Sequence, residues 1–224
     1  PTPFPKPEIM RITDIEVHPI CPPYRSFNAL QLARYHGAQM QRRSVLVVHT
    51  DVGIEGIGET WGGRVDRDVL LEKYTGTSPF DWLNSEQDLA MNMACYDLMG
   101  KSLDIPAWKL IGPMVRAWIP VAAWTISQEP AAMAEEVRRA AANGYHWIKY
   151  HVDEVQNVID QTEAMQEAAP PHFRVHYDFN ANSNYYTMRP ILAELVKFPV
   201  VGRFEDVVQG TDEDGYRILR EQCP

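Results

Sequence analysis

Three short β-rich runs end on side chains that can carry charge, and they recur at a nearly constant step. They are Trp147-Ile148-Lys149-Tyr150-His151, Val175-His176-Tyr177-Asp178-Phe179-Asn180 and Gly202-Arg203-Phe204-Glu205-Asp206. Lys149 and Asp178 are 29 positions apart, and Asp178 and Glu205 are 27 apart. Such a step holds a strand, a loop, a helix and a return loop, which is the repeat of a βα unit with parallel strands. Equivalent ends of parallel strands share one side of a sheet. The spacing therefore predicts a basic pair and two acids on a common rim.

From Trp118 onward strands and helices alternate. Strands are expected at Trp118–Ile126, Trp147–Val152, Phe173–Phe179 and Val200–Val207, with helices at Glu129–Asn143, Glu154–Ala169, Thr187–Lys197 and Asp212–Gln222. Gly144 ends the first helix, and Pro190 is expected in the first turn of the third, where it is tolerable. These are four βα units in the 107 residues 118–224, about half of an eight-unit barrel. Ahead of them, Arg11–Pro19, Ser44–Thr50 and Ile54–Glu59 read as a three-stranded antiparallel meander, turned back at Asp51-Val52-Gly53. Helices follow at Asp68–Tyr74 and 86–100, the second with Leu89, Met93, Tyr96 and Gly100 at helical steps. Residues 20–42 read as a long loop, a kind of segment that is often functional. The expected division is an extended arm at 1–8, rich in proline and unable to build a ladder, an α+β domain at 9–115 and a half barrel at 116–224.

Composition narrows the function. The net charge is −9, from 30 acids and 21 bases, and no basic cluster stands out, which argues against nucleic acid. No apolar run reaches the roughly 18 residues of a membrane span. Cys21, Cys95 and Cys223 make no C-x-x-C pair, which fits reduced thiols in a cytoplasmic protein.

Side chains alternate along a strand, so Lys149 and His151 point the same way. Two cationic groups aimed into one cavity repel, and burial is expected to lower both pKa values toward neutrality, which suits a general base. Asp178 and Asn180 also share a face, and this hard-oxygen pair suits Mg²⁺. Glu205 falls at the matching place on the next strand. Of Glu205 and Asp206 one must point inward, and Glu205 is expected to, on a face shared with Arg203. Each residue also has a plainer reading: a structural ion pair for Lys149, a satisfied core position for His151, an Asx turn at Asp178, a solvated loop start at Glu205. Together they have one economical meaning. A divalent cation holds the substrate carboxylate, and a base takes the adjacent proton, which is removable only when the ene-diolate is stabilised by concentrated positive charge.

The chain resembles the enolase superfamily, in its mandelate racemase/muconate lactonizing branch. The most specific stretch is Ala90-x-x-x-Ala94-x-x-Asp97-Leu98-x-Gly100-Lys101-x-Leu103-x-x-Pro106-x-x-x-Leu110-Ile111-Gly112, similar to the helix before that branch's barrel. Lys149-x-His151 resembles its Lys-x-Lys motif, and Asp178-x-Asn180 and Glu205 resemble its first two metal-ligand strands. The resemblance implies an α/β chain in which an α+β capping domain covers a partial TIM-like (β/α)₇β barrel. It implies Mg²⁺ on Asp178 and Glu205, Lys149 or His151 as the base, and Asn180 near metal or substrate. Loops at 22–37 and Gly58–Gly63 would close over the substrate, with Tyr24, Arg34, His36 and Trp61 as contacts. His151 departs from the lysine of the motif. A third acidic ligand would fall about 27 residues beyond Glu205 by the same repeat, so the chain is expected to be part of a longer one.

The implied reaction is dehydration of a sugar acid, with racemisation, epimerisation or muconate-type cycloisomerisation as alternatives. A reading of another class is a non-catalytic binding module on a degenerate barrel. The expected partners are a small carboxylate substrate and further copies of the same chain, with no nucleic acid and no membrane.

Overall fold

The computed structural model describes residues 10–37, 40–62, 65–83 and 88–223, and the arm at 1–8 lies outside them. The chain divides into two compact units, Pro1–Tyr24 with Gln39–Trp118, and Arg25–Ala38 with Ile119–Pro224.

In the first unit, β1 (Ile12–Ile20), β2 (Arg43–Thr50) and β3 (Glu55–Trp61) form an antiparallel sheet in that order. β2 buries every second residue, as expected of a strand with one face on a core. Two helices follow, α2 (Arg67–Tyr74) and α3 (Leu89–Ser102). The α3 residues Ala94, Leu98 and Met99 join Ile12, Ile15, Leu46 and Val48 in one buried cluster. Gly56 and Gly58 on β3 let α3 lie directly on the sheet: a Cβ at Gly56 would stand 2.5 Å from the Ala94 carbonyl oxygen, and one at Gly58 would overlap that of Ala90. The distinctive stretch of α3 also finishes the sheet edge. Asp97 Oδ2 accepts from the Ile57 N–H at 2.9 Å, and Lys101 Nζ donates to the Glu55 carbonyl at 2.7 Å.

The second unit is a parallel sheet of β4 (Ala123–Ile126), β5 (Trp147–His151), β6 (Arg174–Asp178) and β7 (Val201–Glu205), in sequential order. Its helices are α4 (Pro130–Ala142), α5 (Val158–Ala168), α6 (Tyr185–Leu195) and α7 (Glu213–Gln222). Ile148, Tyr150, Val175 and Tyr177 face these helices in a buried cluster with Met133, Met165 and Leu192. The alternate residues of the same strands are therefore free to build a polar face.

Four expectations are corrected. Residues 20–42 are not a continuous loop: Ser26–His36 form α1, closed by Gly37 at φ +67°, whose N–H reaches the Leu32 carbonyl. Its anchors are tertiary and polar. Asn28 donates to Thr125 Oγ1 at 3.1 Å, and Arg25 meets Glu136 at 2.5 Å. Glu136 is 2% exposed and also pairs with Arg139. The first barrel strand begins at Ala123, not Trp118, because Pro120 has no N–H to give and Trp118, Ile119 and Val121 lie exposed. The α5 helix starts at Val158, not Glu154. Asp153 Oδ1 accepts the Val155 and Gln156 N–H groups at 3.0 and 3.2 Å, and Asn157 caps Ile159 at 2.9 Å. Pro190 lies in the second turn of α6, since Asn184 caps the helix and starts it at Tyr185, two residues earlier than expected. Pro190 is exposed, so water can reach the carbonyl it leaves unpaired.

Candidate active site

The polar face of the second sheet is laid out in two rows. Strand register sets His151, Asp178 and Glu205 side by side, and Lys149, His176 and Arg203 side by side one step below. The upper row lies at the C-terminal strand ends, where parallel α/β sheets carry their sites. The ladder runs on past these ends. Ser127 N–H bonds the His151 carbonyl at 3.0 Å, Val152 N–H that of Asp178 at 2.8 Å, and Phe179 N–H that of Glu205 at 3.0 Å. The rim is thus held by backbone.

The two rows meet through their side chains. Lys149 Nζ lies 2.7 Å from Asp178 Oδ2 and 3.3 Å from Glu205 Oε2. His151 Nε2 lies 3.2 Å from Asp178 Oδ2 and 3.3 Å from Lys149 Nζ. His176 Nε2 comes within 2.8 Å of Glu205 Oε2 without forming a hydrogen bond, so this is a close polar contact. Trp124 stands edge-on to the His151 ring at 5.6 Å. Asp178 is the buried member, and the expected Asx turn is present too: its Oδ1 accepts the Asn180 N–H at 2.9 Å while Oδ2 faces the bases.

These contacts correct the expectation that both basic groups are lowered. Burial pulls the Lys149 pKa down, but the Asp178 and Glu205 carboxylates outweigh it and hold Lys149 above the usual lysine value. His151 is lowered, mainly by burial, with Asp178 opposing and Lys149 adding to it. His176 is lowered by burial against the pull of Glu205. Burial would raise Asp178, yet Lys149 and the Asn180 N–H bring it below the usual carboxylate value.

Two residues escaped the sequence reading. His176 packs against Glu205 and fills the lower row. Asp206 was set aside because an extended strand sends neighbouring side chains to opposite faces. It instead adopts φ +48°, a left-handed conformation that turns its carboxylate back toward the rim. Asn180 and Ala181 have φ +53° and +55°, and Ala181 N–H bonds the Asp206 carbonyl at 2.8 Å. Such clustering of left-handed non-glycine residues beside a site was the signal to look for, and it is visible only in the backbone. The sequence leaves room for an internal ion pair at Arg203; among the described residues its guanidinium instead lies over the Trp147 ring, 4.7 Å from the ring centre.

The donor set fits a hard divalent cation. Asp178, Glu205 and Asp206 each offer an oxygen, all within 4.8 Å of one another. Octahedral Mg²⁺ with ligands at about 2.1 Å separates them by about 3 to 4.2 Å, so small side-chain movements suffice. A positive group already stands against two of these carboxylates, the Lys149 ammonium.

The other expected contacts fall in both units. Tyr24 and Trp61 belong to the first unit, where the exposed Trp61 ring lies 4.2 Å from the Arg43 guanidinium. Arg34 lies on α1 and pairs with Glu129 at 3.1 Å. The backbone of His36 ends α1, and its side chain lies outside the described part. Asn180 lies on the rim and, with His151, borders a cleft of about 780 Å³ in the second unit. Leu32 of α1, Val155, Phe179 and Ile191 add apolar wall.

No family model matches the chain. Among curated proteins it is similar to the N-succinyl-L-Arg/Lys racemase of Bacillus cereus, 26% identical over 198 residues, covering 76% of this chain and 52% of that protein. It is also similar to the D-xylonate dehydratase of Haloferax volcanii, 24% identical over 217 residues, covering 78% and 52%. The chain thus spans about half the length of the curated relatives it matches. Among solved structures, the Bacillus cereus N-succinyl Arg/Lys racemase superposes with a TM-score of 0.77 at 23% identity, covering 95% of this chain and 63% of that one. The Enterococcus faecalis dipeptide epimerase with Mg and the dipeptide L-Leu-L-Tyr gives 0.74 at 18% identity, covering 95% and 65%.

Proposed function

Since the chain has the fold of the enolase superfamily, in its mandelate racemase/muconate lactonizing branch, we propose that it removes the proton α to a carboxylate held by Mg²⁺. The observation that carries this reading is the approach of two bases to one acid. Lys149 Nζ and His151 Nε2 are 3.3 Å apart, and both lie within 3.2 Å of Asp178 Oδ2.

Asp178, Glu205 and Asp206 would hold the cation. When bound, Mg²⁺ supplies the concentrated positive charge that makes an α-proton acidic enough for a side chain to take. The rest falls to the chain's own residues. Lys149 and His151 reach the rim from one face, so the proton leaves toward β5; His151, lowered by burial, has a nitrogen free to accept it, and Lys149 would accept it only after its ammonium had given up a proton. Asn180, fixed by its own backbone turn, offers an amide to a polar group of the substrate. His176 steadies the Glu205 carboxylate from below. The backbone ladder that pins the strand ends keeps these groups in place, which suits a step that depends on positioning.

Once the proton is off, delivery of a proton to the opposite face of the α-carbon defines a racemase or epimerase, and loss of a β-hydroxyl defines a dehydratase. We favour the racemase or epimerase course, supported by the likeness to an N-succinyl-L-Arg/Lys racemase. Dehydration of a sugar acid stands as the second reading, supported by the likeness to a D-xylonate dehydratase. The test is exchange of the α-hydrogen of 2-substituted acids in D₂O with Mg²⁺, followed by NMR. Exchange is expected in the unaltered protein and to fall about 10²- to 10⁴-fold in whichever of Lys149→Met and His151→Asn removes the base. Full exchange in both variants would remove β5 from the chemistry. Release of a 2-keto acid would decide for dehydration.

A further inference from the structure

We infer that Trp124 is a positioning residue: its ring holds the His151 imidazole in the orientation that turns Nε2 toward Asp178. This inference rests on the α-proton reading above and adds the group that aims the base. Three observations place Trp124. Strand register sets it opposite Lys149, in the lower row of the polar face. Its neighbour Thr125 is buried and accepts from Asn28 at 3.1 Å and from Gln128 at 2.9 Å, so alternation gives Trp124 to the face of Lys149 and His151. The Ser127 N–H, bonded to the His151 carbonyl at 3.0 Å, ties the end of β4 to the end of β5. The indole is thus fixed relative to His151 by backbone.

His151 needs such a neighbour. Its Nε2 meets Asp178 Oδ2 at 3.2 Å and Lys149 Nζ at 3.3 Å. Its Nδ1 has no hydrogen bond among the described residues. A working imidazole is commonly aimed by a bond at that far nitrogen, to a carboxylate or a backbone carbonyl. Here an aromatic contact is present instead. The Trp124 and His151 rings are 5.6 Å apart at 89°, an edge-to-face arrangement. A contact of this kind favours one ring placement by roughly two- to tenfold. A base that swings out of line loses rate in at least that proportion, because proton transfer depends on placement. A phenyl ring could supply the same edge-to-face contact, and a branched aliphatic side chain could not.

The test compares Trp124→Leu and Trp124→Phe with the unaltered full chain. Trp124 is 40% exposed on the outermost strand of its sheet, so both changes spare the core. NMR relaxation of the Cε1–H bond reads how tightly the His151 ring is held. The chain has seven histidines, and the signal of His151 is the one lost in His151→Asn. Exchange of the α-hydrogen is followed in D₂O with Mg²⁺, on lactate, 2-hydroxyhexanoate and N-acetylalanine. Expected in Trp124→Leu are a ring order parameter below about 0.6 and a kcat for exchange roughly tenfold lower at unchanged KM, with both restored in Trp124→Phe. An undiminished order parameter in Trp124→Leu overturns the inference. So does an equal loss of kcat in the two variants, or a change in KM alone. If the unaltered protein exchanges none of these acids, the α-proton reading falls. Ring order, measured without substrate, then still decides whether Trp124 fixes His151.

Discussion

Lys149 stands between two carboxylates, and that position decides its charge: it is held protonated while His151, at the mouth of the cleft, is lowered. Removing the shared partner should undo the set. Asp178→Asn is expected to abolish the rise in melting temperature on adding Mg²⁺ and to cut α-hydrogen exchange at least 100-fold, read by calorimetry and NMR on the same samples. A second acid gives a cleaner pH effect. Asp88 accepts from Lys73 Nζ at 2.7 Å and Tyr74 OH at 2.5 Å, and these bonds, Lys73 first, lower its pKa. A carboxyl lowered on folding stabilises above its unfolded value and loses that contribution as pH falls through the folded one. The first unit should therefore weaken below about pH 4, and Asp88→Asn should flatten that dependence in pH-resolved melts. The residue scale also marks a limit of sequence reading. Alternation along β5 to β7 follows from strand geometry, so the facing of Lys149, His151, Asp178 and Glu205 was legible. Asp206 was not, because alternation assumes extended backbone and its φ is +48°.

At the scale of elements, the stretch most characteristic in the sequence has a structural task. Asp97 and Lys101 of α3 satisfy the backbone of β3, and Gly56 and Gly58 bring the two elements together. Gly58→Ala should cost about 3 kcal/mol in urea unfolding, because the new methyl meets backbone that cannot swing aside. Asp97→Ala should cost about 1 kcal/mol through the unpaired Ile57 N–H on an edge open to water. The meander, α3 and the strand–helix repeat were legible because each rests on a periodic apolar pattern. The α1 helix was not. Its fixed points are Asn28, which is buried, and Arg25, and no apolar period marks either. The short loop before α5 was missed for a related reason, since one aspartate side chain outbids helix propensity there.

For the molecule as a whole, a cation bound only by the folded rim stabilises by mass action, about 2.7 kcal/mol at a hundredfold excess over its dissociation constant. Mg²⁺ should raise the melting temperature of the second unit, and a chelator should reverse it. The segment Arg25–Ala38 adds a constraint of another kind. It precedes most of the first unit in sequence yet belongs to the second, tied by bonds between residues 97 and 111 positions apart. During synthesis α1 leaves the ribosome long before Thr125 and Glu136 exist, and must wait unsatisfied while β2, β3 and α3 are made. Closing so long a loop is entropically slow. Refolding should thus show a late phase, reported by Arg25→Met, in which the nascent helix finds its place only after the strand that receives it.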